Sequence, residues 1–305
     1  MSFPGSVVRA LLTRWKSYRH RFVPWVALNL ARNRRWMPCI LELQTLRYVS
    51  EGSSDKLIPD ADVKSALVGL FQAFFMSDLY RQRDLLHMLP ECTKALYYNP
   101  DIGEAPSCHT EQDVTLQAAE IMHRSFGFTI ERQPSSLDSA GIGVFVCRGF
   151  VPKGAIVSMY PGAIYQKYEP IFFQSVGNPF IFRCLDGILI DGNDKGISKS
   201  VYRSCNGRDQ LGPLKMCDST WLTSFPRNPL AVGQYVNNCS NEKEANVCYQ
   251  EFDVPDTFPV ELRQYIPNIH YSHESEGPIR CVVLVALRDI HCGEELFSNY
   301  FTIVR

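Results

Sequence analysis

From Asp62 to Met76 the apolar residues Val63, Ala66, Leu67, Leu70, Phe71, Phe74 and Phe75 recur at three- and four-residue intervals. That spacing lays a single stripe along one helical face, so the first clear element is an amphipathic helix packed into a core. A second helical stretch runs from Leu85 towards Tyr97 and is interrupted near Pro90, which lacks the amide proton a helix interior needs. Thr110-Glu111-Gln112-Asp113 has the form of a capping box opening a third helix, with Val114, Ala118, Ile121 and Met122 facing inwards. Stripes of this kind signify packing, and no chemistry is assigned to them.

Near Phe126 the period changes. Short β-rich runs follow, set apart by Gly, Pro, Asn and Asp: Gly143–Cys147, Ala155–Met159, Pro179–Phe182, Ile188–Ile190, Val247–Tyr249 and Cys281–Leu287. Between Asp191 and Asn228 a Ser-, Gly- and Cys-containing stretch has little periodicity and reads as an insertion or a long surface loop. The expected fold class is α+β, a helical N-terminal region followed by a mostly β domain. The expected divisions are a basic arm over 1–41, a helical region over 42–121 and a β-rich domain over 122–302, with the insertion at about 192–230.

Composition narrows the picture. The chain has 305 residues, 45% of them apolar, enough to bury a sizeable core. Its net charge of −1 argues against sequence-specific nucleic-acid binding. The longest apolar run, Cys281–Leu287, is far too short to span a bilayer. Eleven cysteines, none in a CxxC pair, read as the reduced thiols of an intracellular protein, several of them small buried apolar groups. From Met1 to Leu41 there is no acidic residue, while Arg9, Arg14, Lys16, Arg19, Arg21, Arg32, Arg34 and Arg35 are present. Val7, Leu11, Leu12 and Trp15 share a helical face among them. Two readings stay open: a mitochondrial targeting segment, or a basic helix or disordered arm of a nuclear or cytoplasmic protein.

Candidate chemistry concentrates in four places. Ala140-Gly141-Ile142-Gly143 enters a strand, where glycines either turn the chain or let the backbone come close to something. Pro152-Lys153-Gly154 leads into a strand ending in Tyr160 just before Pro161-Gly162, with Ile188-Leu189-Ile190-Asp191 farther on. The stretch Val232-Gly233-Gln234-Tyr235-Val236-Asn237-Asn238-Cys239-Ser240-Asn241 gathers neutral donors and acceptors without a charge, more than a turn requires. Gly293-Glu294-Glu295-Leu296 precedes Tyr300, close to the last residue.

This order of motifs, from Met122 to Tyr300, resembles the SET domain of protein lysine methyltransferases. The resemblance implies a pseudoknot in which the asparagine-led stretch and the tail cross beside S-adenosylmethionine. It implies that Gly141, Ile142, Gly143, Asn237, Asn238 and Tyr300 bind that cofactor, that Tyr300 is catalytic, and that Tyr160 lines a lysine channel and bonds the amine. The implied partner is a protein bearing a target lysine, with no metal. Arg288, Asp289 and Glu294 receive no role and read as solvated charges. The chain departs from the family pattern at Asn238 (usually His), Ala163 (usually Glu) and Asn299 (usually Asp), and no cysteine cluster for zinc flanks the domain. Only Phe301 to Arg305 remain after Tyr300 to close the channel, so Phe301, the insertion or the N-terminal helices are expected to do so. Two rivals are a SET-like module that binds without transferring, and a metal-dependent hydrolase using His270, His273 and His291.

Overall fold

A computed structural model of the chain describes residues 46–50, 53–97, 110–138, 140–210, 212–275 and 277–304. The basic arm over 1–41, and with it the targeting reading, lies outside these residues.

The apolar stripe does form a helix, α1 (Asp60–Ser77), which buries Val63, Leu67, Leu70, Phe71, Phe74 and Phe75. Two short helices, Arg83–Met88 and Glu91–Leu96, stand either side of Pro90. The second long helix, α2 (Glu111–Phe126), opens on the expected capping box, in which the Thr110 side chain and Asp113 satisfy one another's backbone amides. It ends at Gly127, whose φ of 83° is the left-handed conformation that stops a helix at little cost to glycine. Phe71 meets Phe258 and Tyr265 at ring separations of 6.3 and 5.6 Å, so the helical region shares its core with the later part of the chain.

Fourteen strands lie among the described residues. They are β1 (Leu46–Val49), β2 (Phe128–Pro134), β3 (Ile142–Val151), β4 (Ile156–Tyr160), β5 (Gly162–Tyr165), β6 (Ile181–Arg183), β7 (Leu189–Asp191), β8 (Asn237–Asn238), β9 (Val247–Asp253), β10 (Asn268–His270), β11 (Arg280–Ala286), β12 (Ile290–His291), β13 (Phe297–Ser298) and β14 (Phe301–Val304). They assemble as small sheets: β4-β11-β9, β12-β3-β2 and β10-β5-β7-β6, with two-stranded parallel pairs β1-β14 and β13-β8. The central strand β11 is buried along Cys281–Ala286, which accounts for its unbroken apolar run. Among the described residues, no helix is long and apolar enough to cross a membrane. Cys184, Cys205, Cys217, Cys239, Cys248 and Cys281 are buried thiols outside any disulfide.

One expectation is corrected in part. The stretch after Asp191, expected as an insertion or a long surface loop, carries a helix, α3 (Gly196–Arg208). Its buried side is Ser198, Tyr202 and Cys205. Two of these three are small or polar, so no apolar stripe announces the helix. Tyr202 anchors it, edge-on to Trp221 at 5.0 Å and donating its hydroxyl to the Asp218 carbonyl at 2.6 Å.

The packing of α1 gives a first prediction. Phe71→Ala should lower unfolding free energy by about 3–5 kcal/mol in urea titration. Leu116→Ala, at a side chain 69% exposed on α2, should change it by less than about 0.5 kcal/mol.

Candidate functional site

The tail of the chain crosses the asparagine-led stretch. Strand β13 runs parallel to β8, with Phe297 beside Asn237 and Ser298 beside Asn238. The Cys239 amide donates to the Ser298 carbonyl at 2.9 Å, and the Asn246 amide donates to the Phe297 carbonyl at 3.0 Å. Residues at both ends of the loop 239–246 thus grip the same short piece of tail. A two-residue strand has few ladder bonds of its own, and side-chain amides, each both donor and acceptor, supply the rest. Asn246 takes the Phe297 amide on Oδ1 at 2.8 Å and donates Nδ2 to the Glu295 carbonyl at 2.8 Å. Asn299 donates to the Cys239 sulfur at 3.2 Å. The neutral groups crowded into this stretch therefore serve first to tie the crossing.

At its centre is Glu295, only 5% exposed. One carboxylate oxygen accepts from Ser135 Oγ at 2.7 Å and Asn237 Nδ2 at 3.2 Å. The other accepts from the Ser136 amide at 2.7 Å and Ser136 Oγ at 2.6 Å. Four donors make a buried carboxylate tolerable where an unpaired one would be costly. The two flanking glycines have different reasons to be glycine. Gly141 has a φ of 77°, whereas a Cβ on Gly143 would overlap the Glu295 carboxylate. Between them, the Ile142 carbonyl accepts from Asn237 Nδ2 at 3.1 Å. This leaves Asn237 Oδ1 as an acceptor.

Tyr300 sits directly on the crossing. Its amide donates to Asn238 Oδ1 at 2.8 Å, and its hydroxyl donates to the Val236 carbonyl at 2.8 Å. Tyr160 ends β4 as expected, but it is 1% exposed and its hydroxyl donates to the Phe180 carbonyl at 2.8 Å. Its ring lies 5.3 Å from Phe182 and 6.3 Å from Tyr249, whose hydroxyl accepts from Ser298 Oγ at 3.0 Å. The phenols of Tyr160 and Tyr300 are both pushed well above the usual tyrosine range, mainly by burial. Secondary contributions come from Tyr249, Tyr300 and Asp191 at Tyr160, and from Tyr249 at Tyr300. The two tyrosines named from sequence thus share one aromatic neighbourhood with Tyr249, in which Tyr160 and Tyr249 are buried and Tyr300 is partly buried.

Asp191, at the end of β7, adjoins this neighbourhood. Its Oδ1 accepts from Asn178 Nδ2 at 2.8 Å and the Asn193 amide at 3.2 Å, while Oδ2 is buried without a partner. Burial lifts its pKa to about 6, opposed by hydrogen bonding with Ser198, Asn178 and the Asn193 amide.

Three contributors escaped the sequence reading. Glu295 stood inside a quoted motif, but nothing in the pattern separated it from the partly exposed Glu294, which pairs with Arg288 at 2.6 Å. Asn246 stands just before the β-rich run Val247–Tyr249 and carries no local signal of its own. Gln234 is 4% exposed, and neither end of its amide has a partner. Only burial reveals it. A cleft of about 350 Å³ opens against the crossing, lined by Phe145, Asn246, Glu295 and Phe297 among others. Asp289 accepts from the Lys153 amide at 2.8 Å. Ala163 is buried on β5, pairing with Asp191.

The histidines do not gather. His270 and His273 line a separate cleft of about 310 Å³ with Arg208 and Arg263, while His291 lies on β12 against Phe150. Among the described residues, the one group close enough to share a metal is Cys184, Asp186 and Glu251. There the Arg280 guanidinium already pairs with Asp186 at 3.1 Å and Glu251 at 2.9 Å.

No family model matches the chain. It is 61% identical over 307 residues to "SET domain-containing protein 9" of Homo sapiens, with 99% of each chain covered. It is 63% identical over 268 residues to the protein of the same name from Pongo abelii, covering 86% of this chain and 98% of that one. Solved structures align more loosely. One, ctPRC2 in an autoinhibited conformation bound to S-adenosylmethionine, has a TM-score of 0.31 and 16% identity over 59% of this chain. Another, KRYPTONITE in complex with DNA, a peptide and SAH, has a TM-score of 0.31 and 17% identity over 57% of it. This chain spans 16% and 23% of their respective lengths.

Two outcomes follow from the geometry. Gly143→Ala should destabilise the fold by about 1–3 kcal/mol, because Glu295 must leave its four donors. In a double-mutant cycle with Glu295→Ala the two losses should be clearly non-additive. Asp191, with a folded pKa of about 6, binds its proton more tightly folded than unfolded. Its contribution is therefore most favourable below the ordinary carboxylate pKa of about 4, and is lost as pH rises through 6. The melting temperature of Asp191→Asn relative to wild type should rise from pH 4.5 to 7 and then level off.

Proposed function

The chain belongs to the SET domain-containing protein 9 family, and from that premise we propose that it is an S-adenosylmethionine-dependent methyltransferase acting on the side-chain amine of a protein lysine. The observation that carries this reading is the meeting of Tyr300 with the asparagine-led stretch, backbone to Asn238 and hydroxyl to Val236, some sixty residues away in sequence.

The residues present fit the cofactor. Asn237 Oδ1, the backbone at Asn238, the main chain of Gly141, Ile142 and Gly143, and the unpartnered Gln234 offer neutral groups suited to a nucleoside. The adjoining cleft is of small-molecule size, and its wall sets Phe145, Phe297 and Asn246 among the charged side chains of Glu242, Lys243, Glu244, Arg288, Glu294 and Glu295. S-adenosylmethionine supplies, when bound, a methyl group carried on a sulfonium.

The work of the protein is to deliver a neutral amine in the right direction. A lysine in water, with a pKa near 10.4, is almost entirely ammonium at neutral pH. The same desolvation that lifts the phenols of Tyr160 and Tyr300 pushes a buried lysine the other way, favouring the uncharged form. Because both hydroxyl protons are committed to main-chain carbonyls, either phenol can meet an amine only as a hydrogen-bond acceptor. Accepting an N–H bond fixes the nitrogen and aims its remaining lone pair, so Tyr160 and Tyr300 act by placement and take up no proton.

A specific observation favours a second reading, a module that binds without transferring: both amide protons of Asn237 are spent on Ile142 and Glu295 rather than held for a ligand. Radiolabelled methyl transfer into cell and mitochondrial extracts separates the two. Wild type should label at least one protein band, and Tyr300→Phe should weaken it roughly a hundredfold while calorimetric binding of S-adenosylmethionine is retained. Equal labelling by both removes Tyr300 from the reaction. Cofactor binding with no labelled band in any extract selects the second reading.

A further inference from the structure

Beside the tyrosine neighbourhood lies a groove of about 460 Å³ that the methyl-transfer reading leaves without a role. Arg132, Lys195 and Lys199 line it together with a single acid, Asp194. Asp194 is engaged, accepting the Tyr235 hydroxyl at 2.7 Å. The cations are held in place. Arg132 lies over the Tyr235 ring at 5.3 Å, and Lys199 Nζ donates to the Leu222 carbonyl at 2.8 Å. Lys195 stands at the start of α3, a helix with no side chain capping its N-terminus. The positive end of the helix therefore stands beside Lys195 at the groove. On a chain whose net charge is −1, three cations to one engaged acid is a local concentration rather than a share of a general surplus.

The groove is one aromatic pair away from the two tyrosines. Tyr235 packs against Phe180 at 5.8 Å. Phe180 offers its carbonyl to Tyr160, and Val236, next to Tyr235, offers its carbonyl to Tyr300. Whatever occupies the groove therefore lies alongside a lysine presented to those phenols.

Resting on the methyltransferase reading, we propose that this groove selects the substrate: it takes the carboxylate side chains of an acidic segment flanking the target lysine. Aspartate or glutamate a few residues from the lysine meets Lys195, Lys199 and Arg132, while an arginine or lysine there meets repulsion. Charge complementarity of this kind sets partner choice and encounter rate more than total affinity.

The test uses full-length protein and fluorescent peptides with one lysine, flanked by glutamates in one set and arginines in the other. Binding is read by anisotropy and transfer by radiolabelled methyl incorporation. Wild type should bind and label the glutamate set at least roughly tenfold better, a gap that narrows as salt is raised. The charge reversal Lys195→Glu with Lys199→Glu should invert the preference, and Lys195→Gln with Lys199→Gln should erase it, with cofactor binding unchanged in both. A wild-type preference for arginine flanks, no preference, or a preference that survives the reversal overturns the proposal. If wild type labels no peptide, the methyltransferase reading is what fails; anisotropy still supports the groove if the reversal inverts binding and refutes it if not.

Discussion

Everything at the site depends on one buried carboxylate and the four donors around it. Glu295 joins the glycine-bearing entry to β3, the seryl turn at Ser135 and Ser136, and the amide of Asn237. A charge at that depth is tolerable only when fully hydrogen-bonded, so these three pieces of chain must arrive together or not at all. Glu295 is thus less a participant in chemistry than the condition for the tail to pass where it does. Once Glu295 is seated, Phe297 and Ser298 fall beside Asn237 and Asn238, and Tyr300 can only follow into the space below Val236.

A second constraint is burial. Phe182 and the rings of Tyr160 and Tyr249 pack into a largely buried place that nonetheless carries three phenols, with Tyr300 partly buried at its side. Each hydroxyl has a partner: the Phe180 carbonyl, the Val236 carbonyl and Ser298 Oγ. The neighbourhood is polar at fixed points and apolar elsewhere. A titratable cation brought into such a place is shifted towards its neutral form. Asp191, raised to about 6 by its own burial, adjoins it and contributes to the upward shift at Tyr160.

The departures from the family pattern acquire a structural meaning here. Asn299 donates to the Cys239 sulfur and so closes the crossing from its own side. At Asn238 it is the side-chain oxygen, holding the Tyr300 amide, that matters to the geometry. Ala163 is packed against Asp191 in the sheet, where little room exists for a longer chain.

The sequence alone determined the parts whose signal is local. The α1 stripe, the break at Pro90, the capping box of α2 and the apolar run of β11 each express a periodicity or a cap that needs only near neighbours. The ordered motifs likewise pointed to the family and named Tyr300, Tyr160, Asn237 and Asn238. Tertiary structure alone decided the rest. Helix α3 hides because its buried face is Ser198, Tyr202 and Cys205 rather than an apolar stripe. Glu295 and Glu294 are adjacent and chemically identical, and only the arrival of Ser135, Ser136 and Asn237 from elsewhere makes one a buried keystone and leaves the other paired with Arg288 at the surface. Burial and hydrogen bonding between distant segments leave no mark on local composition, because the free energy that selects them belongs to the assembled contacts and not to the residue itself.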